Sequence, residues 1–224
     1  MPAPRRNRVT PTGEIVAIPL RGAWTGNRGN LHRGTEIVRP WASPHWLICR
    51  LEWKGVRREQ WAPRRLTWLF FHDEAVALAA GHRPCASCRH GAYAAFRAAW
   101  ADAGPAPLHD EIDRTLHGER LVAGTRRRRT HPARWDALPD GAFVLVDGAP
   151  ALVVGREVAA WSVDGYGERR RRPRRGAAEL LTPPSTVAVL RAGYPVQIDS
   201  GATGGRPSRV AFAGGMPAAA GVSR

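Results

Sequence analysis

Short apolar segments in the first third of the chain predict three β-strands. They cover residues 13–20, 46–53 and 66–71. Each is rich in residues that favour strands and is bounded by turn-forming residues. Five tryptophans lie within or beside the last two segments: Trp41, Trp46, Trp53, Trp61 and Trp68. We interpret these tryptophans as the core of a small sheet, and the alternative is a stacking surface for unpaired bases.

Helical patterns follow these strands. Asp73 is suited to cap the start of a first short helix, and Gly81 is suited to end it. Apolar and aromatic residues spaced three and four apart predict a second helix over about residues 87–102. A third helix is predicted near residues 110–121.

The last third of the chain alternates apolar runs with turn signals and predicts a β-meander. Its three strands cover residues 142–147, 151–154 and 157–161, and a short strand is expected at 178–181. A terminal helix ends near Ala192. We therefore expect an α+β fold, in which a small sheet with helices precedes the C-terminal meander and its one terminal helix.

Changes in composition along the chain suggest how it is divided. The predicted parts are a flexible N-terminus (1–12), an N-terminal module (13–105), a helical basic connector (106–138), a small β-rich module (139–200) and a disordered tail (201–224).

Net charge points to a polyanionic partner. The 224 residues include 34 basic and 19 acidic side chains, which give a formal charge of +15. Such a field attracts nucleic acid first, and an acidic membrane surface or protein second. Only Lys54 among the basic residues is a lysine. The abundance of arginine therefore partly reflects the general amino-acid bias of this chain and is not by itself a sign of a binding site.

Two arginine runs are candidates for phosphate contacts that read no sequence, with solvated loops as the alternative. They comprise Arg126, Arg127, Arg128 and Arg129, and Arg169, Arg170, Arg171 and Arg172. A weaker candidate is the Gly- and Asn-rich segment that contains Arg21, Arg28 and Arg33.

Neither a membrane span nor a secretory signal is expected. No apolar run approaches the roughly 20 residues that a span needs. The basic N-terminal residues are not followed by an apolar stretch. Three cysteines are too few for a disulfide framework. We therefore expect a cytoplasmic protein with reduced thiols.

The cysteines predict a metal site. Cys85-x-x-Cys88 stands at a helix start, where two thiolates can share one ion, and Cys49 on a strand offers a third. His45 is the favoured fourth ligand for tetrahedral zinc, which would staple the small N-terminal sheet and make residues 13–105 a zinc-binding module. The alternatives are a redox dithiol or cysteines buried as small apolar residues. Three other histidines compete with His45 for the fourth position: His32, His72 and His82.

Residues 70–89 resemble the Ada-type zinc-binding module of DNA-repair proteins and of some bacterial nucleases. The shared features are an aromatic strand, an Ala-rich helix and a Gly-x-x-Pro-Cys-x-x-Cys turn. The resemblance extends over residues 41–102. It implies bound zinc, an earlier ligand pair at His45 and Cys49, DNA association and membership of a bacterial family that carries this module.

The sequence also departs from the Ada pattern. The Ada module has four cysteines, one of which accepts a methyl group from DNA. This chain has three, so Cys49 is the one strand-side candidate for that role. The resemblance therefore supports a zinc-stabilised module with DNA association more than it supports methyl transfer.

A polar cluster in the third predicted helix suggests possible catalysis. Asp110, Asp113 and His117 fall on one helical face, where they could hold Mg²⁺ or act as acid and base in phosphodiester cleavage. An exposed amphipathic helix is the alternative. The leading prediction is a zinc-containing nucleic-acid-binding protein linked to DNA repair or processing. The alternatives are an enzyme acting on nucleic acid, through this cluster or Cys49, and an adaptor for an acidic protein.

Overall fold

The computed structural model describes residues 3–55, 59–101 and 107–204. These ranges contain two six-stranded sheets, a two-stranded hairpin and four α-helices. The predicted α+β class is therefore confirmed, with a small N-terminal sheet, a C-terminal antiparallel sheet and one terminal helix.

The first sheet holds the N-terminal strands. The first eight strands in chain order are β1 (Arg8–Val9), β2 (Ile15–Val16), β3 (Trp24–Asn27), β4 (His32–Arg33), β5 (Glu36–Ile37), β6 (Leu47–Cys49), β7 (Leu69–Phe71) and β8 (Arg83–Pro84). Strands β4 and β5 form the separate hairpin, and the sheet order is β2-β1-β7-β3-β6-β8. Strand β6 is shorter than predicted because its ladder with β3 ends at the Thr25–Cys49 pair.

The described chain contains four α-helices, and the predicted end signals are seen at the first of them. The helices are α1 (Glu74–Ala79), α2 (His90–Trp100), α3 (His109–Arg120) and α4 (Pro184–Arg191). The N–H of Val76 donates to the Asp73 carboxylate at 2.8 Å, and Gly81 has φ +87°, so both predicted ends of α1 are confirmed. Within the described chain, no helix combines the length and apolar character needed to cross a membrane.

The second sheet is antiparallel and contains the predicted meander. Its strands are β9 (His131–Arg134), β10 (Phe143–Val146), β11 (Ala149–Val154), β12 (Glu157–Ser162), β13 (Gly165–Arg171) and β14 (Ala177–Leu180). Their order is β13-β12-β11-β10-β14-β9. Three residues of the second arginine run, Arg169, Arg170 and Arg171, form the end of β13 and not a solvated loop. This strand lies at the sheet edge, where exposed arginines oppose pairing with another chain.

Both ends of the described chain contribute to the fold. Strand β1 pairs with β7, although the sequence predicted a flexible segment over residues 1–12. Residues 200–203 form a short 3₁₀-helix, and Ala202 is fully buried in the second core. The rest of the predicted disordered tail, residues 205–224, lies outside the described residues.

Helix α1 belongs to two hydrophobic cores at once, and all six of its residues are buried. Ala77 and Leu78 pack into a core built on the first sheet. Ala75, Val76 and Ala79 pack into a core built on the second sheet. The domain boundaries inferred from composition stay a prediction, but the two sheet cores meet at this helix.

The N-terminal end of α1 is held by buried polar contacts. The Tyr166 hydroxyl donates to Asp73 at 2.8 Å, and the backbone N–H of Asp199 donates to the same carboxylate oxygen at 3.0 Å. Glu74 accepts from the Tyr194 hydroxyl at 2.6 Å. These contacts connect α1 with the second sheet and with the segment that follows α4.

Replacing Asp73 with Ala should cost about 3 kcal/mol of unfolding free energy. The change removes a helix cap and leaves the Tyr166 hydroxyl and the Asp199 N–H buried without an acceptor. Urea unfolding followed by circular dichroism measures the loss. Asp164→Ala, at an exposed turn position, is the control and should change stability by less than about 0.5 kcal/mol. Equal losses in the two variants would contradict this role for Asp73.

Candidate metal centre and arginine pocket

The three cysteines meet where two neighbouring strands end. Cys49 is the last residue of β6, and Cys85 directly follows β8, which runs parallel to β6. The N–H of Cys85 donates to the carbonyl of Ile48 at 2.9 Å, which extends this pairing by one residue. Cys88 follows within a tight turn. All three sulfur atoms lie within 4.8 Å of one another.

This cluster can hold a metal ion. Zinc–thiolate bonds of about 2.3 Å place tetrahedral sulfur ligands about 3.8 Å apart, so only small movements are needed. Cys49 and Cys88 are buried, and Cys85 is partly exposed. Among the described residues, no histidine or carboxylate completes the cluster as a fourth ligand.

The hydrogen bonds within the cluster favour a thiolate at Cys85. The thiols of Cys49 and Cys88 donate to its sulfur, as do the backbone N–H groups of Cys88 and Ser87, and together they lower the pKa of Cys85. The same contact with Cys85 raises the pKa of Cys49. The N–H of Arg50 also points at the Cys88 sulfur at 3.4 Å. A metal cation bound here would be attracted to the Cys85 thiolate, which these hydrogen bonds stabilise.

The structure places His45, the predicted fourth ligand, away from the thiols. Its Nδ1 lies 2.6 Å from a carboxylate oxygen of Asp113 on α3. His45 lies two residues before β6, whereas Cys49 is the last residue of this strand, and an extended chain rises about 3.3 Å per residue, so the two side chains are far apart. A spacing of four residues would bring side chains together only on a helix. The sequence pattern therefore identified the thiols but misplaced the histidine.

The three competing histidines also have other partners. His32 lies 2.6 Å from the Thr67 hydroxyl, and His72 lies beside Tyr166. His82 is fully buried and accepts from Nε of Arg28 at 3.2 Å. Burial and the nearby arginines hold the pKa of His82 well below its ordinary value.

The predicted catalytic cluster is only partly assembled. Helix α3 forms, and Asp113 is buried on it, but both carboxylate oxygens are occupied. Arg83 binds them with Nε at 2.8 Å and Nη2 at 2.6 Å. Asp110 is exposed, and its carboxylate lies within 4.8 Å of ligand atoms of His45 and Asp113. On this side of α3, Asp113 therefore forms a buried ion pair with Arg83 and also contacts His45.

His117 is directed elsewhere. Its Nδ1 lies 2.9 Å from Nη2 of Arg120, and its ring meets the edge of Trp41 at 4.8 Å between centroids. Burial, and then the charge of Arg120, lower the pKa of His117. The structure therefore does not bring His117 to the carboxylates that sequence reasoning grouped with it.

An arginine-lined cavity of about 860 Å³ opens between the turn joining β1 and β2 and the loop after α3. Glu14 is the one carboxylate among its described lining residues. We call it the arginine pocket after the six arginines that line it: Arg6, Arg28, Arg39, Arg126, Arg127 and Arg128. The first predicted arginine run thus contributes three residues to the pocket. Arg28 from the weaker candidate loop contributes a fourth.

Arg28 lies buried in the pocket wall, with only 1% of its surface exposed. Its Nη1 donates to the carbonyl of Gly13 at 2.9 Å, and Gly13 has the left-handed φ of +85° that its turn requires. Its Nη2 has no hydrogen-bond partner among the described residues. No described carboxylate forms an ion pair with Arg28.

Two further arginines bind the C-terminal end of α1. Arg120 donates to the carbonyl of Gly81 at 2.8 Å, and Arg128 donates to the carbonyls of Ala79 and Ala80. Burial lowers the pKa of Arg120 to about 9 and that of Arg128 to about 10, so both stay charged at neutral pH. The positive side chains complement the negative end of the helix dipole.

Trp46 is covered by guanidinium groups. The Arg28 and Arg120 guanidinium carbons lie over its ring at 3.9 and 4.0 Å from the centroid. Its indole N–H donates to the carbonyl of Ser43. Trp46 and Trp61 are buried, and Trp41, Trp53 and Trp68 are partly buried. Two of the five tryptophans are therefore buried, as the core interpretation expects, but none of the five belongs to the three hydrophobic clusters of the described chain.

The second arginine run is divided between ion pairs and a smaller cavity. Arg169 pairs with Glu157, and Arg170 pairs with Asp147, both at 3.2 Å. Arg171 and Arg172 line a cavity of about 420 Å³. This run is therefore partly neutralised by neighbouring carboxylates. Arg129, the last residue of the first run, is not among the residues that line the larger pocket.

Comparison of the chain with protein-family models, curated proteins and solved structures finds no match.

Unfolding free energy should fall as the pH decreases from about 7 to about 5. Buried His82 resists protonation, whereas the unfolded chain takes up that proton near pH 6.5, so acid favours unfolding by up to about 1.4 kcal/mol per pH unit. His82→Gln, which keeps an acceptor for Arg28, should flatten this dependence in urea titrations. His109→Gln, at an exposed position, should not change it. An unchanged slope in His82→Gln would refute the assignment.

Proposed function

We propose that this chain is a zinc-binding protein that binds nucleic acid, with DNA as the preferred partner. The supporting observation is the arginine pocket, whose six arginines face a single carboxylate, Glu14. Arginine binds phosphate oxygens through paired N–H donors, so a concentration of uncompensated guanidinium groups fits a phosphate-rich ligand.

The exposed edge of the pocket supplies the phosphate contacts. Arg39, Arg126 and Arg127 are exposed, whereas Arg28 is buried behind them. Contacts of this kind give affinity and orientation without reading the bases. Since Trp46 is already covered by arginines, base stacking on it does not contribute. Binding should depend steeply on salt and weakly on sequence.

Zinc in this proposal is structural. It is held by Cys49, Cys85 and Cys88 at the ends of β6 and β8. The described residues offer no fourth protein ligand to this group. The ion would fix the turn that precedes α2. Because strand β8 has only two residues, the ion would add folding energy at a weakly paired edge.

The two alternative functions receive less support. In the nuclease version, Asp113 would have to leave Arg83 to act as a metal ligand or base. A repair role for Cys49 would need a buried thiol to accept a group from DNA. No described feature favours an adaptor for an acidic protein over a nucleic-acid binder.

Purified protein should contain about one zinc ion per chain, measured by inductively coupled plasma mass spectrometry. Cys85→Ser should lose the metal because a hydroxyl is a poor zinc ligand at neutral pH. Ser87→Ala, in the same turn, is the matched control and should retain it. Acidification should release the ion, since protons compete for the thiolates. Protein that contains no metal when purified under reducing conditions would contradict the zinc assignment.

Affinity for a fluorescein-labelled oligonucleotide should fall steeply with salt. The double variant Arg126→Ala/Arg127→Ala should bind more weakly and reduce the slope of log K against log salt by about 1.5, because each lost phosphate contact contributes about 0.7–0.9. Arg134→Ala is the control, since that guanidinium is already paired with Asp136 at 2.6 Å. Fluorescence anisotropy measures both quantities. Binding that is absent or insensitive to salt would refute the proposal and favour the adaptor alternative.

A further inference from the structure

We propose that the arginine pocket is a receptor for a phosphate monoester, the group found at the end of a nucleic-acid strand and on a free nucleotide. The inference deepens the proposed function and rests on it for the strand-end ligand. It adds a specific ligand group and a specific place in the fold, beyond general attraction between phosphates and a basic surface.

The first argument is charge balance in a buried place. Burial, and then the charges of Arg120 and Arg128, lower the pKa of Arg28 well below its usual range. Within the described chain none of the three forms an ion pair with a carboxylate, although the charge of Asp113 favours the charged form of Arg120. Burying charges without partners costs free energy, so an anion bound beside these arginines would stabilise the folded protein.

Helix capping accounts for only part of this arrangement. Arg120 and Arg128 do bind the carbonyls at the end of α1, but a helix end carries only about half a negative charge. Arg28 has no share in that cap. It donates to His82 and to the carbonyls of Gly13 and Pro40, and its Nη2 is left without an acceptor among the described residues. Arg28 is therefore the residue that capping does not explain.

The second argument is shape. A continuous strand presents its diester phosphates along an open path, each with one negative charge. A cavity of about 860 Å³ with buried cations behind its wall instead suits a group that can enter end-on. A monoester is such a group, and it carries close to two charges at neutral pH. The exposed arginines at the mouth can contact it directly, while the buried ones act through their field.

The test compares one oligonucleotide carrying either a 5′-phosphate or a 5′-hydroxyl, together with a nucleoside 5′-monophosphate and its nucleoside. Isothermal titration calorimetry with the full chain should show the phosphorylated form of each pair binding about tenfold more tightly or better. Arg39→Gln, at the pocket mouth, should reduce that ratio. Arg33→Gln, exposed on the nearby hairpin and outside the pocket lining, should leave the ratio unchanged.

The outcomes separate this inference from the function on which it rests. Equal affinities within both pairs would overturn the phosphate-monoester site, even if both oligonucleotides bind and nucleic-acid binding survives. Preference for the monophosphate without binding of either oligonucleotide would uphold the site, with a free nucleotide as its ligand, and overturn the nucleic-acid function. Equal ratios in Arg39→Gln and Arg33→Gln would place the phosphate outside this pocket and overturn the inference.

Discussion

The fold depends on a short helix that is buried along its entire length. Because α1 lies between two sheet cores, water cannot satisfy the backbone groups at its ends, and protein side chains do so instead. Asp73 caps the N-terminal end, and Arg120 and Arg128 bind the carbonyls at the C-terminal end. Asp73 contacts β13 and the segment that follows α4, whereas Arg120 and Arg128 come from α3 and from the loop after it. Helix α1 thereby fixes the relative positions of distant segments.

The two candidate sites are connected to opposite ends of this helix. At the N-terminal end, Arg89, next to Cys88, forms a buried ion pair with Glu74 at 2.8 Å, so the thiol turn is fastened to α1. At the C-terminal end, Arg128 both binds the helix and lines the arginine pocket. An ion held by the thiols would therefore stabilise a turn attached to α1. Strand β6 is a second connection between the two sites, because Cys49 ends it and Trp46, which lines the pocket, directly precedes it.

Local signals made much of this structure predictable. The Asp73 cap, the Gly81 stop and the Cys-x-x-Cys turn each depend on neighbours within a few residues, and the structure contains all three. The histidine ligand could not be predicted in this way, because the position of His45 relative to Cys49 depends on strand direction and on α3. Strand β13 was missed because its arginines lack the apolar alternation by which strands are recognised.

The arginines show why net charge alone was a weak guide to the site. The amino-acid bias of the chain partly explains why arginines are abundant, but it does not distinguish one arginine from another. In the structure some are neutralised by carboxylates, as Arg170 is by Asp147, and others cap a helix. Arg28 belongs to neither class, since it is buried, adjacent to other cations and incompletely hydrogen-bonded. Its contacts with Gly13, His82 and Trp46 serve the fold, but they leave one donor of a buried cation unused, and that donor is the main support for the proposed anion site.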